Sequence, residues 1–298
     1  CARMGAVTGK GLSDLIREEY GVKVTFWVML ALVLTNLGNT MAEFSGIAAA
    51  AEIFGVPPYI SVFLSASIVW LLVVRGNNRI VERVFLVACL VYLAYPIAGI
   101  LAEPPWPDVL RATVIPPLRF DHEYLQMMIG LVGTTIAPWM QFYQQSAVVE
   151  KGIGPEDYKY ERWDVIIGCT ITDIVAFFII VACAATLHAH GIRIQDASEA
   201  AHALRPLAGS HAANLFAFGL LNASLFAASV LPLSTAFYVC EAFGWESGVS
   251  RSFNSAPQFY VLYSGLIVVG AGLVMLPHFP LVPVMFLSQV ANGMVLPL

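Results

Sequence analysis

The sequence predicts an all-α polytopic membrane protein. Three observations carry that expectation: too little charge for a water-exposed surface, apolar runs that recur at membrane-spanning length, and a one-sided distribution of basic residues. Of the 298 residues, 58% are hydrophobic and 12% charged, against roughly 25% charged in a soluble domain, and the mean hydropathy is +0.75. About 20 consecutive apolar residues cross a bilayer as a helix. Eight runs meet that measure, near 24–54, 57–74, 84–101, 123–149, 164–187, 211–240, 259–276 and 281–298. Together they make one transmembrane domain over 1–298.

In the first run, Asn36, Asn39, Thr40 and Glu43 recur at helical spacing among Leu, Val, Ala and Phe, so they share one face of a helix. A carboxylate at mid-bilayer costs roughly 2.5 to 3.5 kcal/mol on insertion scales, which directs Glu43 toward a cavity or a partner. A hydrogen bond between helices is its other reading. The hinge Gly55-Val56-Pro57-Pro58 closes this run, and the tract Arg75-Gly76-Asn77-Asn78-Arg79 closes the next. After the third run, residues 102–122 read as a long exposed loop around a Pro-Pro-Trp-Pro stretch.

The fourth run is the most informative. Residues 133–146, GTTIAPWMQFYQQS, place a proline and a series of amides inside an apolar span. A proline leaves a helix carbonyl without its N–H partner, and at membrane depth that is tolerated only against protein, water or a bound ion. Gln141, Gln144 and Gln145 fall at i, i+3 and i+4, on one face just after Pro138. Interhelical hydrogen bonding is their alternative role, but Thr134, Thr135, Ala137 and Pro138 add a place for the helix to open. Trp139, directly after the proline, reads as a cavity wall or gate beside Met140, with interfacial anchoring as its second reading.

The fifth run holds Asp173, for which a helix–helix hydrogen bond is as good an account as any functional one. In the last run Gln289 and Asn292 lie three apart on one face beside Gly293. Chemistry alone leaves ligand and packing glue equally open there.

If successive loops alternate sides, eleven of the fifteen Lys and Arg collect on one side: Arg3, Lys10, Arg17, Lys23, Arg75, Arg79, Arg83, Lys151, Lys159, Arg162 and Arg251. The other side holds only Arg111, Arg119, Arg193 and Arg205. The positive-inside rule assigns the richer side, with the N-terminal end, to the cytoplasm. The five cysteines show no paired spacing, and four lie in apolar runs, so they are expected to behave as buried small hydrophobes. The six histidines sit in loops or at span edges, leaving Glu43 and Asp173 as the titratable groups within spans. No HExxH, GxSxG, Walker or dinucleotide pattern is present, so no enzyme reading has residues to carry it. The chain opens on Cys1 and stops at Leu298, inside an apolar run, and is expected to be a piece of a longer protein, truncated at both ends.

Four stretches, RMGAVTGKGLSDLIREEYG, AEFSGIAAAAEIFGVPP, GTTIAPWMQFYQQSAVVEKG and PLSTAFYVCEAFG, resemble consecutive landmarks of the NRAMP family of divalent-metal transporters. The resemblance covers nearly the whole chain. It implies a LeuT-type inverted-repeat transporter fold, with the chain running from the end of helix 2 through helix 10 and the broken run as helix 6. It also implies that Thr134 contributes a backbone carbonyl to the ion, that Ala137 stands where typical members have a metal-binding methionine, and that Gln289 is an amide approaching the site. Asn292, on the same face, joins that set. The family's principal ligands, an aspartate and an asparagine on helix 1, would precede Cys1.

Departures from the family pattern point to a subtype. The Met-Pro-His motif reads Ala137, Pro138, Trp139 here, a second family histidine is Gln144, and an acid ahead of Glu43 is Thr40. Loss of a thioether removes a preference for soft transition metals, and Mg2+ favours oxygen ligands and keeps its water. The pattern is similar to that of the NRAMP-related magnesium transporters. Mg2+ uptake without proton coupling is therefore expected, with Mn2+ as the second candidate ion. A divalent ion gains roughly 4.6 kcal/mol per 100 mV on entering a negative cell. Other readings are a proton-coupled Mn2+/Fe2+ symporter, an amino-acid carrier of the same fold, and a non-transporting sensor. The expected setting is a prokaryotic cell membrane. No cofactor, nucleic acid or obligatory protein partner is implied beyond the ion and the bilayer.

Overall fold

The computed structural model describes residues 1–75, 87, 89–116, 119–192, 194, 197–249 and 251–296. Among them every regular element is helical. A short helix α1 (Ala2–Thr8) turns at Gly9 into α2 (Leu12–Ile53). Gly21, at φ 77° and ψ 170°, breaks α2 into a leading segment, residues 12–20, and the spanning helix proper. Only glycine takes that conformation without steric cost.

Helix α3 (Pro58–Arg75) follows the expected Gly55 hinge, where φ is +72°. Residues 76–79 of the expected turn, and 84–86 and 88 at the start of the third run, lie outside the described residues. The rest of that run is a 3-10 turn, Cys89–Leu93, leading into α4 (Ala94–Leu101). Residues 102–122, expected as a loop, instead contain the exposed helix α5 (Trp106–Val114), because Pro107 in its first turn suits helix initiation and Asp108 complements its N-terminal dipole. The fourth run divides into α6 (His122–Thr135) and α7 (Pro138–Glu150). Helix α8 (Tyr158–Thr186) is followed by short turns and then by α9 (Ala212–Phe243), α10 (Pro257–Val274) and α11 (Leu281–Val295).

Four of the described segments are long and apolar enough to cross a membrane, namely Leu12–Ile53, Tyr158–His190, Gly209–Phe243 and Pro257–Val274. Shorter apolar helices run over Pro58–Val74, Cys89–Leu101 and Val282–Val295. Large apolar side chains cover the outside, among them Trp27, Phe63, Trp163 and Val268. Such a belt is stable against acyl chains and unstable against water. The chain is an all-α polytopic membrane protein.

Helix α2 is the centre of the bundle. It packs most extensively against α9 and also against α11, α10, α3 and α7. The core joins Phe44, Ile47 and Ala48 of α2 to Phe237 and Cys240 of α9 and to Phe259, Tyr263 and Ile267 of α10. In lipid, burial of apolar surface gives little drive between helices, so small residues that allow close packing matter more. The buried Ala48–Ala51 run and Gly46, whose Cα faces the Ser224 hydroxyl, supply that here. Helix α6 packs chiefly on α11, and α4 on α8.

Two further expectations need correction. Of the four cysteines in apolar runs only Cys240 is buried, while Cys89 and Cys169 are exposed, because their helices present those faces outward. Asp173 is also exposed, on the outer side of α8.

Candidate metal site

The break between α6 and α7 follows from local chemistry. Pro138 pushes the preceding Ala137 out of the helical region, to φ −79° and ψ 142°, and takes the first helical position of α7 itself. Ile136 is also non-helical, at φ −131° and ψ 79°. Having no N–H, Pro138 returns nothing to the Thr134 carbonyl four residues earlier. The C-terminal end of α6, which carries the negative end of its dipole, therefore presents a free carbonyl at the break. A cation is attracted to that end. Thr135 ties its own hydroxyl to the Leu131 carbonyl at 2.8 Å, and the Thr134 side chain is exposed. Ala137 is buried, at 1% exposure.

Helix α11 runs against this break at backbone contact distance. A Cβ on Gly133 would drive into the Gln289 carbonyl oxygen and come within 2.5 Å of the Gly293 nitrogen, and one on Gly293 would strike the Ile129 carbonyl. Two glycines thus bring the Thr134 segment beside the helix that carries Gln289 and Asn292.

On the other side of α11 lies a buried amide network. Asn292 donates from Nδ2 to Asn39 Oδ1 at 2.6 Å, and Asn39 donates from Nδ2 back to Asn292 Oδ1 at 3.2 Å. Gln289, half-buried, donates to Asn39 Oδ1 at 3.4 Å and accepts from Asn292 at 3.3 Å. Asn39 also donates to Asn36 Oδ1 at 3.2 Å. Asn36 then reaches α9, donating to the Leu231 carbonyl at 2.7 Å and to Thr235 Oγ1 at 2.6 Å. A chain of neutral amides therefore links α11, α2 and α9. Its side-chain oxygens are uncharged, and each already accepts an N–H from within the network.

The predicted polar stripe on α2 divides by depth. Asn36 and Asn39 belong to the network. Thr40 instead hydrogen-bonds the Asn36 carbonyl at 2.8 Å and packs its methyl against Gly270 of α10. Glu43, one turn further along, meets the Ser224 hydroxyl of α9.

The amides after Pro138 also go to separate neighbours. Gln144 donates to Glu161 of α8 at 2.6 Å, and Gln145 donates to the Lys10 carbonyl at 2.9 Å. Gln141 is half-buried and Met140 is 37% exposed. Trp139 packs on the apolar cluster of Met29, Leu32, Phe142 and Tyr238, with its ring 6.4 Å from that of Tyr143.

Residue-type reading missed Ser234 and Thr235, which complete the network on α9. The signal was present: Pro232 lies inside the span, and the two hydroxyls that follow it both turn back to the Leu231 carbonyl, at 2.7 and 3.2 Å. Among the described residues no group of three or more His, Cys, Asp or Glu is placed to hold a metal ion.

Comparison with known proteins agrees with this architecture. The family model described as "Natural resistance-associated macrophage protein-like" matches residues 1–298. A "Divalent metal cation transporter MntH" of Klebsiella pneumoniae strain 342 is 27% identical over 231 residues, which cover 75% of this chain and 56% of that protein. The protein of the same name from Klebsiella pneumoniae subsp. pneumoniae strain ATCC 700721 / MGH 78578 matches with the same identity and coverage. The chain spans about half the length of the curated relatives it matches. With an all-α membrane-spanning bundle and a family match from end to end, the chain belongs to the natural resistance-associated macrophage protein-like family, Nramp.

Proposed function

We propose that this protein is the core of a divalent metal cation transporter, built on a LeuT-type inverted-repeat scaffold, and that it carries Mg2+ into the cell without proton coupling. The relatives' name, divalent metal cation transporter, supports the ion class. The observation that carries the Mg2+ reading is a methyl in place of a soft ligand at the helix break, with neutral oxygens on both sides of α11. Ala137 is a buried methyl directly before Pro138, and the groups gathered around α11 are the Thr134 carbonyl, Gln289 and the Asn39–Asn292 amides. All are oxygen donors. A soft thioether favours Mn2+ and Fe2+, whereas an oxygen-lined site suits Mg2+ with part of its hydration shell retained. The negative-inside potential drives a divalent cation inward unaided. In this reading the end bearing the N-terminus faces the cytoplasm, and the inner membrane of a prokaryotic cell is the setting.

Proteoliposomes containing the complete gene product test the proposal. A trapped fluorescent indicator reads Mg2+ or Mn2+ entry, and a lumenal pH dye runs in parallel. Mg2+ entry without acidification is expected, and Ala137→Met is expected to shift selectivity toward Mn2+ by about tenfold, the equivalent of ~1.4 kcal/mol. Mn2+-dependent proton influx with no Mg2+ entry would overturn it in favour of an ordinary proton-coupled symporter.

A further inference from the structure

Beyond the Pro138 break, the middle of α7 belongs to a second cluster of buried polar groups, which the transport reading does not use. It is built where the turn at residues 9–11, between α1 and α2, meets the middle of α7 and the C-terminal end of α9. Gln145 of α7 is wholly buried, and its Nε2 donates to the Lys10 carbonyl at 2.9 Å. Its Oε1 has no hydrogen-bond partner. The Glu241 carboxylate of α9 lies directly over Gly11, so close that a Cβ there would collide with it. Its Oε2 is likewise buried and unpartnered. Two residues that each carry an orphan oxygen thus meet the same short turn.

Gln145 Oε1 is an acceptor, and an ionised Glu241 carboxylate offers only acceptors, so in that form neither satisfies the other. Ser146, beside Gln145, reaches the Glu241 carboxylate, but its one hydroxyl proton is also drawn to the Phe142 carbonyl at 3.0 Å. The nearby cations are engaged elsewhere. Lys10 pairs with Glu18 at 2.6 Å, and Arg17 is shared among Asp14 at 3.2 Å and the backbone carbonyls of Ala242 at 3.0 Å and Glu241 at 3.5 Å. The ionisable groups that bear electrostatically on Glu241 are Asp14 and Glu150, both acidic. A buried carboxylate among like charges, beside an unpaired carbonyl oxygen, calls for a positive charge.

We propose that this cluster binds one alkali-metal cation, Na+ or K+, held by the Glu241 carboxylate and Gln145 Oε1. A single carboxylate with a neutral amide and a hydroxyl matches a monovalent ion. Calcium sites gather more oxygen ligands, usually with several carboxylates among them, and Mg2+ keeps a water shell that a site covered by a tight turn does not admit. The bound ion fastens the α1–α2 turn to α7 and to the C-terminal end of α9. The inference is independent of which metal the protein transports.

The test is thermal unfolding of the full chain in detergent at constant ionic strength, with choline chloride replaced stepwise by NaCl or KCl. Two variants accompany wild type. Glu241→Gln removes the charge and supplies an N–H for Gln145 Oε1, and Gln145→Ala removes only the neutral ligand. Wild type is expected to gain about 3 °C or more, saturably, in at least one alkali salt. Glu241→Gln is expected to be insensitive to the salt exchange, and Gln145→Ala to need roughly tenfold more cation for the same gain. Equal stability in choline and both alkali salts would overturn the proposal, as would an alkali response that survives in Glu241→Gln. An alkali-insensitive wild type that is stabilised on acidification would assign the charge to a proton and overturn it too. Should Glu241→Gln fail to fold, the displaced midpoint in Gln145→Ala decides, and an unchanged midpoint there counts against the site.

Discussion

Asn39 and Asn292 exchange amide hydrogen bonds across the α2–α11 interface, at 2.6 Å in one direction and 3.2 Å in the other, with both side chains almost wholly buried. Removing one partner strands the other's buried donor and acceptor, so each single substitution costs more than the bond itself. Asn39→Ala and Asn292→Ala are each expected to lower stability by about 1 to 2 kcal/mol. A double-mutant cycle, measured by unfolding in mixed micelles, is expected to return a coupling of about 1 kcal/mol. Strict additivity would show that the two amides are held by other contacts.

The approach of α6 to α11 rests on missing side chains. At Gly133 the obstacle to a Cβ is backbone on both counts, the Gln289 carbonyl and the Gly293 nitrogen, and backbone cannot rotate aside. Gly133→Ala is expected to destabilise by about 2 kcal/mol and to move the helix break away from α11, lowering metal flux with it. The control is Gly168→Ala on α8, where a Cβ meets nothing within 4 Å. There the better helix propensity of alanine predicts unchanged or slightly raised stability, by up to about 1 kcal/mol. Equal melting temperatures for the two variants would refute the close contact.

Arg17 holds the leading segment of α2 onto the C-terminal end of α9. Its Nη1 donates to the Ala242 carbonyl at 3.0 Å and the Glu241 carbonyl at 3.5 Å, while Nη2 pairs with Asp14 at 3.2 Å. A guanidinium fork on orphan carbonyls at the negative end of a helix dipole is favourable, and lysine cannot span both roles. Because the side chain is about one-third exposed, solvent screening holds the effect to about 1 kcal/mol. Arg17→Lys and Arg17→Ala are therefore expected to accelerate hydrogen exchange of amides 12–20 about fivefold, leaving the α9–α10 core protected. Uniform acceleration across the molecule would mean that the segment does not open independently.

Legibility differed from element to element, for identifiable reasons. The helix break was readable because a proline's missing N–H acts within one turn, whatever surrounds it. The stripe on α2 was readable as a face but not as a site. Asn36, Asn39, Thr40 and Glu43 share a helical side, yet the 1.5 Å rise per residue spreads them over about 10 Å of depth, so each meets a different neighbour. The amides after Pro138 misled in the same way: Gln144 and Gln145 differ by 100° around α7, enough to send one to Glu161 and the other to Lys10. Ser234 and Thr235 went unassigned because nothing local links them to Asn36, 199 residues away from Thr235.

By itself the sequence determined what depends on composition and on neighbours within a turn or two: an all-helical membrane protein, the position of the break at Ala137-Pro138, and its family. Only the tertiary structure decided which polar groups meet. It joined Asn39 to Asn292, seated Gly133 on Gln289, and brought Gln145 and Glu241 to one turn. The physical reason is that buried polar groups must find partners where no water is available. Which partner each finds is set by helix packing between residues distant in the chain, and the order of the residues does not encode that locally.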